Sequence, residues 1–151
     1  MAARSRTVFV DSGPFALELS FWRDPRAALN ARFLQHLRAS GRGVTSLYNV
    51  LEVAGVVSHH SPPDRVLRLV RSFQALFGVR VVPPGLGTFL VDAPAVADRI
   101  AQRMGAGDAT ILWFAEICRP APDALVTWNA KHFEGRTRLR VLTPQQYLRG
   151  Q

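Results

Sequence analysis

Residues 7–14 read Thr-Val-Phe-Val-Asp-Ser-Gly-Pro, and this stretch decides how the fold begins. Its first four residues are β-branched or aromatic, which is typical of a buried strand. The Ser-Gly-Pro that follows Asp11 is a strong strand terminator. In parallel α/β folds, the loops at the carboxyl ends of the strands hold the ligand site. Asp11 is therefore a candidate site residue.

Strand and helix signals alternate along the rest of the chain. Further short strands are predicted at residues 44–45, 79–82, 124–127 and 139–142, with a short extended piece at 88–91. Helices are predicted near residues 15–19, 24–40, 47–57, 64–77, 92–104, 108–119 and 143–148. This alternation predicts a three-layer α/β/α domain with a central parallel sheet of four to five strands. No repeat or Ser/Gly linker divides the chain, so we expect one domain over residues 1–151.

Composition narrows the class of protein. Hydrophobic residues make up 48% of the chain, which argues against a disordered protein. No run approaches the roughly 20 consecutive apolar residues of a membrane-spanning helix, so no membrane partner is expected. Cys118 is the only cysteine and cannot form an internal disulfide. A cytoplasmic location is the resulting expectation.

The net charge is +8, and Lys131 is the only lysine among 19 basic residues. One interpretation is attraction to RNA phosphates, which arginine binds through two parallel hydrogen bonds. The other is a GC-rich coding bias that places arginine on ordinary surfaces. The charge permits an RNA partner and does not by itself demonstrate one.

Three acids fall at informative positions. Asp11 ends the first strand, Asp108 follows Gly107 at a predicted helix start, and Glu52 lies off the centre of an apolar helix face after the second strand. If they converge, their mutual repulsion favours a bound Mg²⁺ or Mn²⁺, because these hard cations prefer oxygen ligands. A metal-bound water then loses its proton readily and can attack a phosphodiester.

Each acid also has an ordinary structural interpretation. Asp11 could cap a turn, Asp108 could be a helix N-cap, and Glu52 could be a solvated surface residue. Ser12 and Thr127, at strand ends beside the expected pocket, could orient a carboxylate or a water. Local turn or cap hydrogen bonding explains both equally well.

Four blocks of sequence resemble the PIN-domain family, particularly the VapC-type toxins of bacterial toxin–antitoxin pairs. The blocks are residues 8–12 (Val-Phe-Val-Asp-Ser), 45–53 (Thr-Ser-Leu-Tyr-Asn-Val-Leu-Glu-Val), 105–112 (Gly-Ala-Gly-Asp-Ala-Thr-Ile-Leu) and 125–135 (Leu-Val-Thr-Trp-Asn-Ala-Lys-His-Phe-Glu-Gly). The resemblance covers nearly the whole chain. It implies a ribonuclease that holds Mg²⁺ or Mn²⁺ with Asp11, Glu52 and Asp108. It also implies a homodimer and inhibition by a cognate antitoxin.

The chain departs from the family pattern in its last block. Many PIN domains place a fourth acid there, whereas this chain has Asn129, with His132 just before Phe133 where an aspartate is frequent. Asn129 can still hydrogen-bond a metal-bound water or a phosphate, and Glu116 could contribute or face a neighbouring arginine. The number of metal ions, one or two, stays open.

Two other functions compete with a catalytic ribonuclease. The missing fourth acid is compatible with a PIN scaffold that binds RNA or a protein without cleaving. A haloacid-dehalogenase-like phosphatase would need a second aspartate two residues after Asp11, where Gly13 stands. Trp22 and Trp128 could stack on bases, although such residues more often pack at a rim or an interface.

Overall fold

The computed structural model describes residues 6–85 and 88–151. Five short parallel strands form one sheet: β1 (Val8–Val10), β2 (Gly43–Ser46), β3 (Arg80–Val82), β4 (Ala124–Val126) and β5 (Arg140–Leu142). Seven helices flank it in the described residues: α1 (Ser12–Ser20), α2 (Ala27–Ser40), α3 (Leu47–Ser58), α4 (Pro63–Phe77), α5 (Ala93–Ala101), α6 (Ala106–Ile117) and α7 (Pro144–Arg149). A 3₁₀ turn spans Ala130–His132. The predicted three-layer α/β/α architecture is confirmed.

The strand order is β3-β2-β1-β4-β5, with β1 at the centre. Phe9 pairs with Val44 of β2 on one side and with Leu125 of β4 on the other. The chain therefore builds the sheet outward from β1 to β3, then returns to start β4 on the opposite side of β1. The gap between β1 and β4 is the topological switch point, where ligands of open α/β sheets bind.

Alternation along β1 separates two apolar layers, because successive strand side chains point to opposite faces. Val8 and Val10 belong to one buried cluster, which includes side chains of α1, α2, α3, α4 and α7. Phe9 belongs to the other cluster, together with side chains of α5 and α6. In the first layer, the rings of Phe15 and Phe73 meet edge to face with centroids 5.0 Å apart. The sheet is covered on both faces, as a parallel sheet requires.

The cap of α3 fixes its position relative to the sheet. Ser46 ends β2 and is also the N-cap, so no connecting residue separates strand from helix. Its side chain accepts from the backbone N–H of Asn49, whose side chain accepts in turn from the N–H of Ser46. This capping box sets the direction in which α3 leaves the sheet.

Several predicted boundaries were wrong. Helix α2 begins at Ala27 and not at Asp24, since the Asp24 carboxylate accepts from the backbone and guanidinium of Arg26. Helix α6 begins at Ala106 with Gly105 as its N-cap, so Asp108 lies within the first turn.

A further correction concerns the segment between β3 and α6. Helix α5 ends at Ala101, short of residue 104, because Arg103 adopts a left-handed φ of 65°. Residues 88–91, predicted as an extended piece, pair with no strand among the described residues. Within the same described residues, no helix is long and apolar enough to cross a membrane.

Candidate functional site

Asp11 lies directly after β1, beside the switch point of the sheet. Its side chain is only 4% exposed, yet both carboxylate oxygens have partners. Oδ1 accepts from the Ser12 backbone N–H at 2.7 Å, and Oδ2 accepts from the Thr127 hydroxyl at 2.7 Å. The Asn49 amide adds a longer contact of 3.4 Å to Oδ1. A buried carboxylate with several donors is held in one orientation.

Glu52 reaches the same place from α3. Its Oε2 accepts a 2.8 Å hydrogen bond from the Ser12 hydroxyl, and that same hydroxyl oxygen lies 3.2 Å from Oδ1 of Asp11. One hydroxyl group therefore stands between two carboxylates that are 41 positions apart in the sequence. Tyr48 lies one helical turn before Glu52, and its hydroxyl is close enough to lower the pKa of the Glu52 carboxyl. The structure brings Asp11 and Glu52 together.

Asp108 lies at the third corner, in the first turn of α6. The helix approaches Glu52 closely, since a Cβ added at Gly107 would lie 3.2 Å from Glu52 Oε1. The Asp108 carboxylate itself points toward the 3₁₀ turn after β4, and its Oδ2 lies 2.9 Å from Nδ1 of His132. Asp108 is thus close enough for its charge to act on the other two acids, while its nearest partner is an imidazole.

The electrostatics of the cluster show this proximity. Burial is the main cause that raises the pKa of Asp11, and the charge of Asp108 raises it further, against the lowering effect of Thr127 and Ser12. Burial also raises the pKa of Glu52, with added repulsion from Asp11 and Asp108. The Tyr48 pKa is raised by burial and by the charges of Glu52 and Asp108. Each of these groups is disfavoured in its anionic form by its surroundings.

These acids do not form a finished coordination shell. Among residues 6–85 and 88–151, no three His, Cys, Asp or Glu side chains are arranged as a metal-binding group. The reason is local: Asp108 faces His132, and the oxygens of Asp11 are engaged by hydroxyl and backbone donors. The donor set still fits a hard divalent cation in its chemistry, because it offers carboxylate oxygens whose mutual repulsion a cation relieves. Asp11, Glu52 and Asp108 are the residues that would hold it.

Asn129 and Thr127 extend the site along the end of β4. Thr127 is fully buried, and its hydroxyl accepts a 3.0 Å hydrogen bond from the Asn129 backbone N–H while it donates to Asp11. The exposed Asn129 residue borders a neighbouring cavity with Gly13 and Trp128. Asn129 therefore lies beside the acidic cluster and is linked to it through Thr127.

Four other polar or ionisable residues lie outside the acidic cluster. Glu116, near the C-terminal end of α6, forms an ion pair with Arg99 of α5. Facing a neighbouring arginine was one of the two roles expected of Glu116. Cys118 is a free, buried cysteine. His59 and His60 are exposed at the end of α3, and Nε2 of the His60 ring lies 3.2 Å from the Ser20 hydroxyl.

Three contributors to the site were not predicted from the sequence. The sequence analysis noted His132 only because it stands where many PIN domains have an aspartate. That same position, just before Phe133, could have indicated that His132 lies at the site. Tyr48 could have been found from its four-residue spacing to Glu52, which places both on one helix face. Asn49 follows Ser46 by three residues, the spacing of a capping box. Its amide oxygen accepts in that box, which leaves the NH₂ group free to donate to Asp11.

No protein-family model matches this chain, and no curated protein matches it in sequence. The likeness to PIN domains rests on the four sequence blocks, and the fold is consistent with that architecture.

Proposed function

We propose that this chain is a metal-dependent endoribonuclease of the PIN type and the toxin of a toxin–antitoxin pair. The observation that carries the proposal is the Ser12 hydroxyl shared by the Asp11 and Glu52 carboxylates at the switch point of the sheet, with Asp108 beside them. An enzyme gains nothing in stability from buried carboxylates that repel one another. Such an arrangement is typical of a site built for a cation or for proton transfer.

In this proposal Asp11, Glu52 and Asp108 hold Mg²⁺ or Mn²⁺. When bound, such an ion acidifies a water and neutralises charge on phosphate oxygens. The reaction adds one water across a phosphodiester bond and yields a phosphomonoester and a free hydroxyl. Thr127 and Ser12 keep the Asp11 carboxylate in a fixed orientation. The net positive charge of +8 attracts the RNA backbone toward the molecule.

RNA cleavage by the purified protein tests this proposal directly. Cleavage is expected with Mg²⁺ or Mn²⁺ and is expected to stop with a chelator. Asp11→Asn should reduce it to the chelator level and relieve growth arrest on expression, while circular dichroism shows a retained fold. Asp98→Asn, an exposed acid on α5, is the matched control and should cleave normally. Equal cleavage by wild type and Asp11→Asn would refute the assignment.

A PIN scaffold that binds RNA without cleaving is the second candidate. The absence of a finished metal-binding group among the described residues favours it. This candidate predicts that the wild-type protein binds RNA, shows no cleavage with any divalent cation, and gains no stability from Mn²⁺.

The same cluster suggests how an antitoxin would inhibit the enzyme. A basic side chain entering beside Asp11, Glu52 and Asp108 would relieve their repulsion in place of the metal. The expected complex has an arginine or lysine of the antitoxin at these carboxylates, and the toxin itself is expected to form a homodimer. A structure of the complex in which the three carboxylates stay open to solvent would exclude this mode of inhibition.

A further inference from the structure

A second concave feature lies next to the acidic cluster. We call it the side cavity: a hollow of about 320 Å³ lined by Gly13, Phe21, Arg26, Trp128 and Asn129, among others. Its volume lies at the lower end of the roughly 300–1,000 Å³ that small-molecule sites occupy. It therefore has room for one flat ring system and little more.

The Trp128 wall of the side cavity is held firmly. The indole Nε1–H donates a 2.9 Å hydrogen bond to the side-chain oxygen of Asn30, which is fully buried. The Asn30 amide is itself fixed by a 2.9 Å bond to the backbone carbonyl of Pro14. Because the only polar atom of the indole already has a partner inside the protein, the indole contributes apolar ring atoms to the cavity that it lines. A rigid aromatic surface of this kind binds another ring at little entropic cost.

A planar cation lies over one face of that ring. The Arg26 guanidinium carbon lies 5.2 Å from the Trp128 ring centroid. The guanidinium is held by two hydrogen bonds to Asp24, of 2.9 and 2.7 Å. Phe21 adds a second aromatic side chain, which is 51% exposed although it is apolar. Aromatic rings and a fixed guanidinium plane are the groups on which unpaired bases stack.

The wall of the side cavity is linked to the acidic cluster by hydrogen bonds. The backbone N–H of Asn129 donates to the Thr127 hydroxyl, which donates to Asp11, so two hydrogen bonds join the cavity wall to the candidate catalytic carboxylate. The Asn129 side chain is exposed at this border and carries both a donor and an acceptor. That combination matches the hydrogen-bonding edge of a nucleobase.

We infer that the side cavity binds one unpaired nucleobase of single-stranded RNA, next to the phosphodiester at the acidic cluster. The base stacks against the exposed Phe21 ring and the Arg26 guanidinium, which itself lies over the Trp128 ring, and the Asn129 amide reads the edge of the base. This inference rests on the proposed ribonuclease function and adds to it a separate binding site for one base, formed by the residues of the side cavity. Asn129 is then a specificity-determining residue, in the place where many PIN domains have an acid.

Binding measured without metal tests the inference independently of cleavage. The probe is a short fluorescein-labelled single-stranded RNA in excess chelator, read by fluorescence anisotropy. Phe21→Ala is expected to weaken binding about tenfold, within the range found for loss of one base–aromatic stack. Ile117→Ala is the matched control, because Ile117 is 45% exposed and lies at the opposite end of α6 from Asp108. It should bind as the wild type does.

Abasic substitution locates the base that enters the cavity. Replacing each base of the probe in turn by an abasic sugar should weaken wild-type binding most at one position. In Phe21→Ala, an abasic sugar at that position should weaken binding no more than at the other positions, because the stack is already absent. Asn129→Ala should bind the same abasic probe as the wild type does, yet lose the preference among the four bases at that position.

The alternatives give different results. Equal affinity of Phe21→Ala and wild type, with no privileged abasic position, overturns the inference. Unchanged RNA affinity in Phe21→Ala combined with an altered sedimentation coefficient would assign the cavity to a contact between copies of the chain, and also overturns it. If the wild type binds as expected but never cleaves with Mg²⁺ or Mn²⁺, the ribonuclease proposal fails while the base-binding cavity stands.

Discussion

The Thr127 hydroxyl donates a 2.7 Å hydrogen bond to Oδ2 of Asp11, although 116 positions separate the two residues in the chain. Both are buried, and each directly follows a central strand, β4 for Thr127 and β1 for Asp11. The bond therefore forms only once these two strands have paired. The orientation of the central carboxylate is a product of sheet assembly.

Thr127→Val should destabilise the protein by about 1–3 kcal/mol, because it removes the donor to a buried carboxylate and the acceptor for the Asn129 N–H without changing side-chain size. Urea unfolding measures the change. Thr110→Val is the matched control, since Thr110 bonds only to the Ala106 carbonyl within its own helix. It should cost well under about 1 kcal/mol. Equal losses in the two variants would contradict a special role for Thr127.

In excess chelator, the free energy of unfolding should fall as the pH rises above the ordinary pKa values of Asp11 and Glu52. Asp11 and Glu52 have folded-state pKa values above their ordinary values of 3.8 and 4.5, so in this range the native state holds more protons than the unfolded state. Stability is then fully present below the ordinary pKa values and is lost as the pH passes through the raised ones. The limiting slope is about 1.4 kcal/mol per pH unit for each proton.

Two comparisons make the pH dependence specific. Asp11→Asn and Glu52→Gln should each flatten the decline, and the double variant should nearly remove it. Asp24, whose pKa is lowered to about 2, titrates below this range and does not interfere. Chemical denaturation at several pH values measures the slope. A stability that rises with pH in the wild type would contradict the sign of both shifts.

A divalent cation should restore the stability that the protein loses as the pH rises. At about 100 times its dissociation constant, Mn²⁺ should stabilise the native state by about 2.7 kcal/mol. For a chain of this size, that corresponds to an increase in Tm of about 5–10 °C. Differential scanning calorimetry at about pH 7.5 checks the shift, which should be retained in Asp98→Asn and lost in Glu52→Gln. A similar increase in all three proteins would place the cation elsewhere.

Gly107→Ala should weaken Mn²⁺ binding without unfolding the protein. The added Cβ would lie 3.2 Å from Glu52 Oε1 and 3.4 Å from the Tyr48 hydroxyl, so it would crowd the carboxylate that faces the candidate metal. Alanine inside α6 should otherwise favour the helix by about 0.5–1 kcal/mol. Gly105→Ala is the matched control, because its Cβ would meet Asp108 Oδ2 at an ordinary 3.7 Å. Isothermal titration with Mn²⁺ should separate the two variants, and identical affinities would contradict this steric argument.

Much of the fold could be predicted from local sequence. The terminator after residue 10 placed Asp11 at a strand end, and the alternation of strand and helix signals predicted the parallel sheet and its covering layers. Helix ends were less predictable. Asp24-Pro25 has the form of a helix start, but Asp24 instead binds Arg26 through its side chain, and α2 begins later. Such a choice depends on competing hydrogen bonds, which the sequence does not rank.

The sequence by itself determined which residue types stand at the strand ends and helix starts, because those depend on periodicity and turn chemistry within a few residues. Only the tertiary structure decided which side chains meet: the Ser12 hydroxyl between Asp11 and Glu52, His132 against Asp108, and the Trp128 indole held by Asn30. Hydrogen bonds act over about 3 Å, and segments this far apart in the chain come within that distance only when the sheet order and helix packing are set.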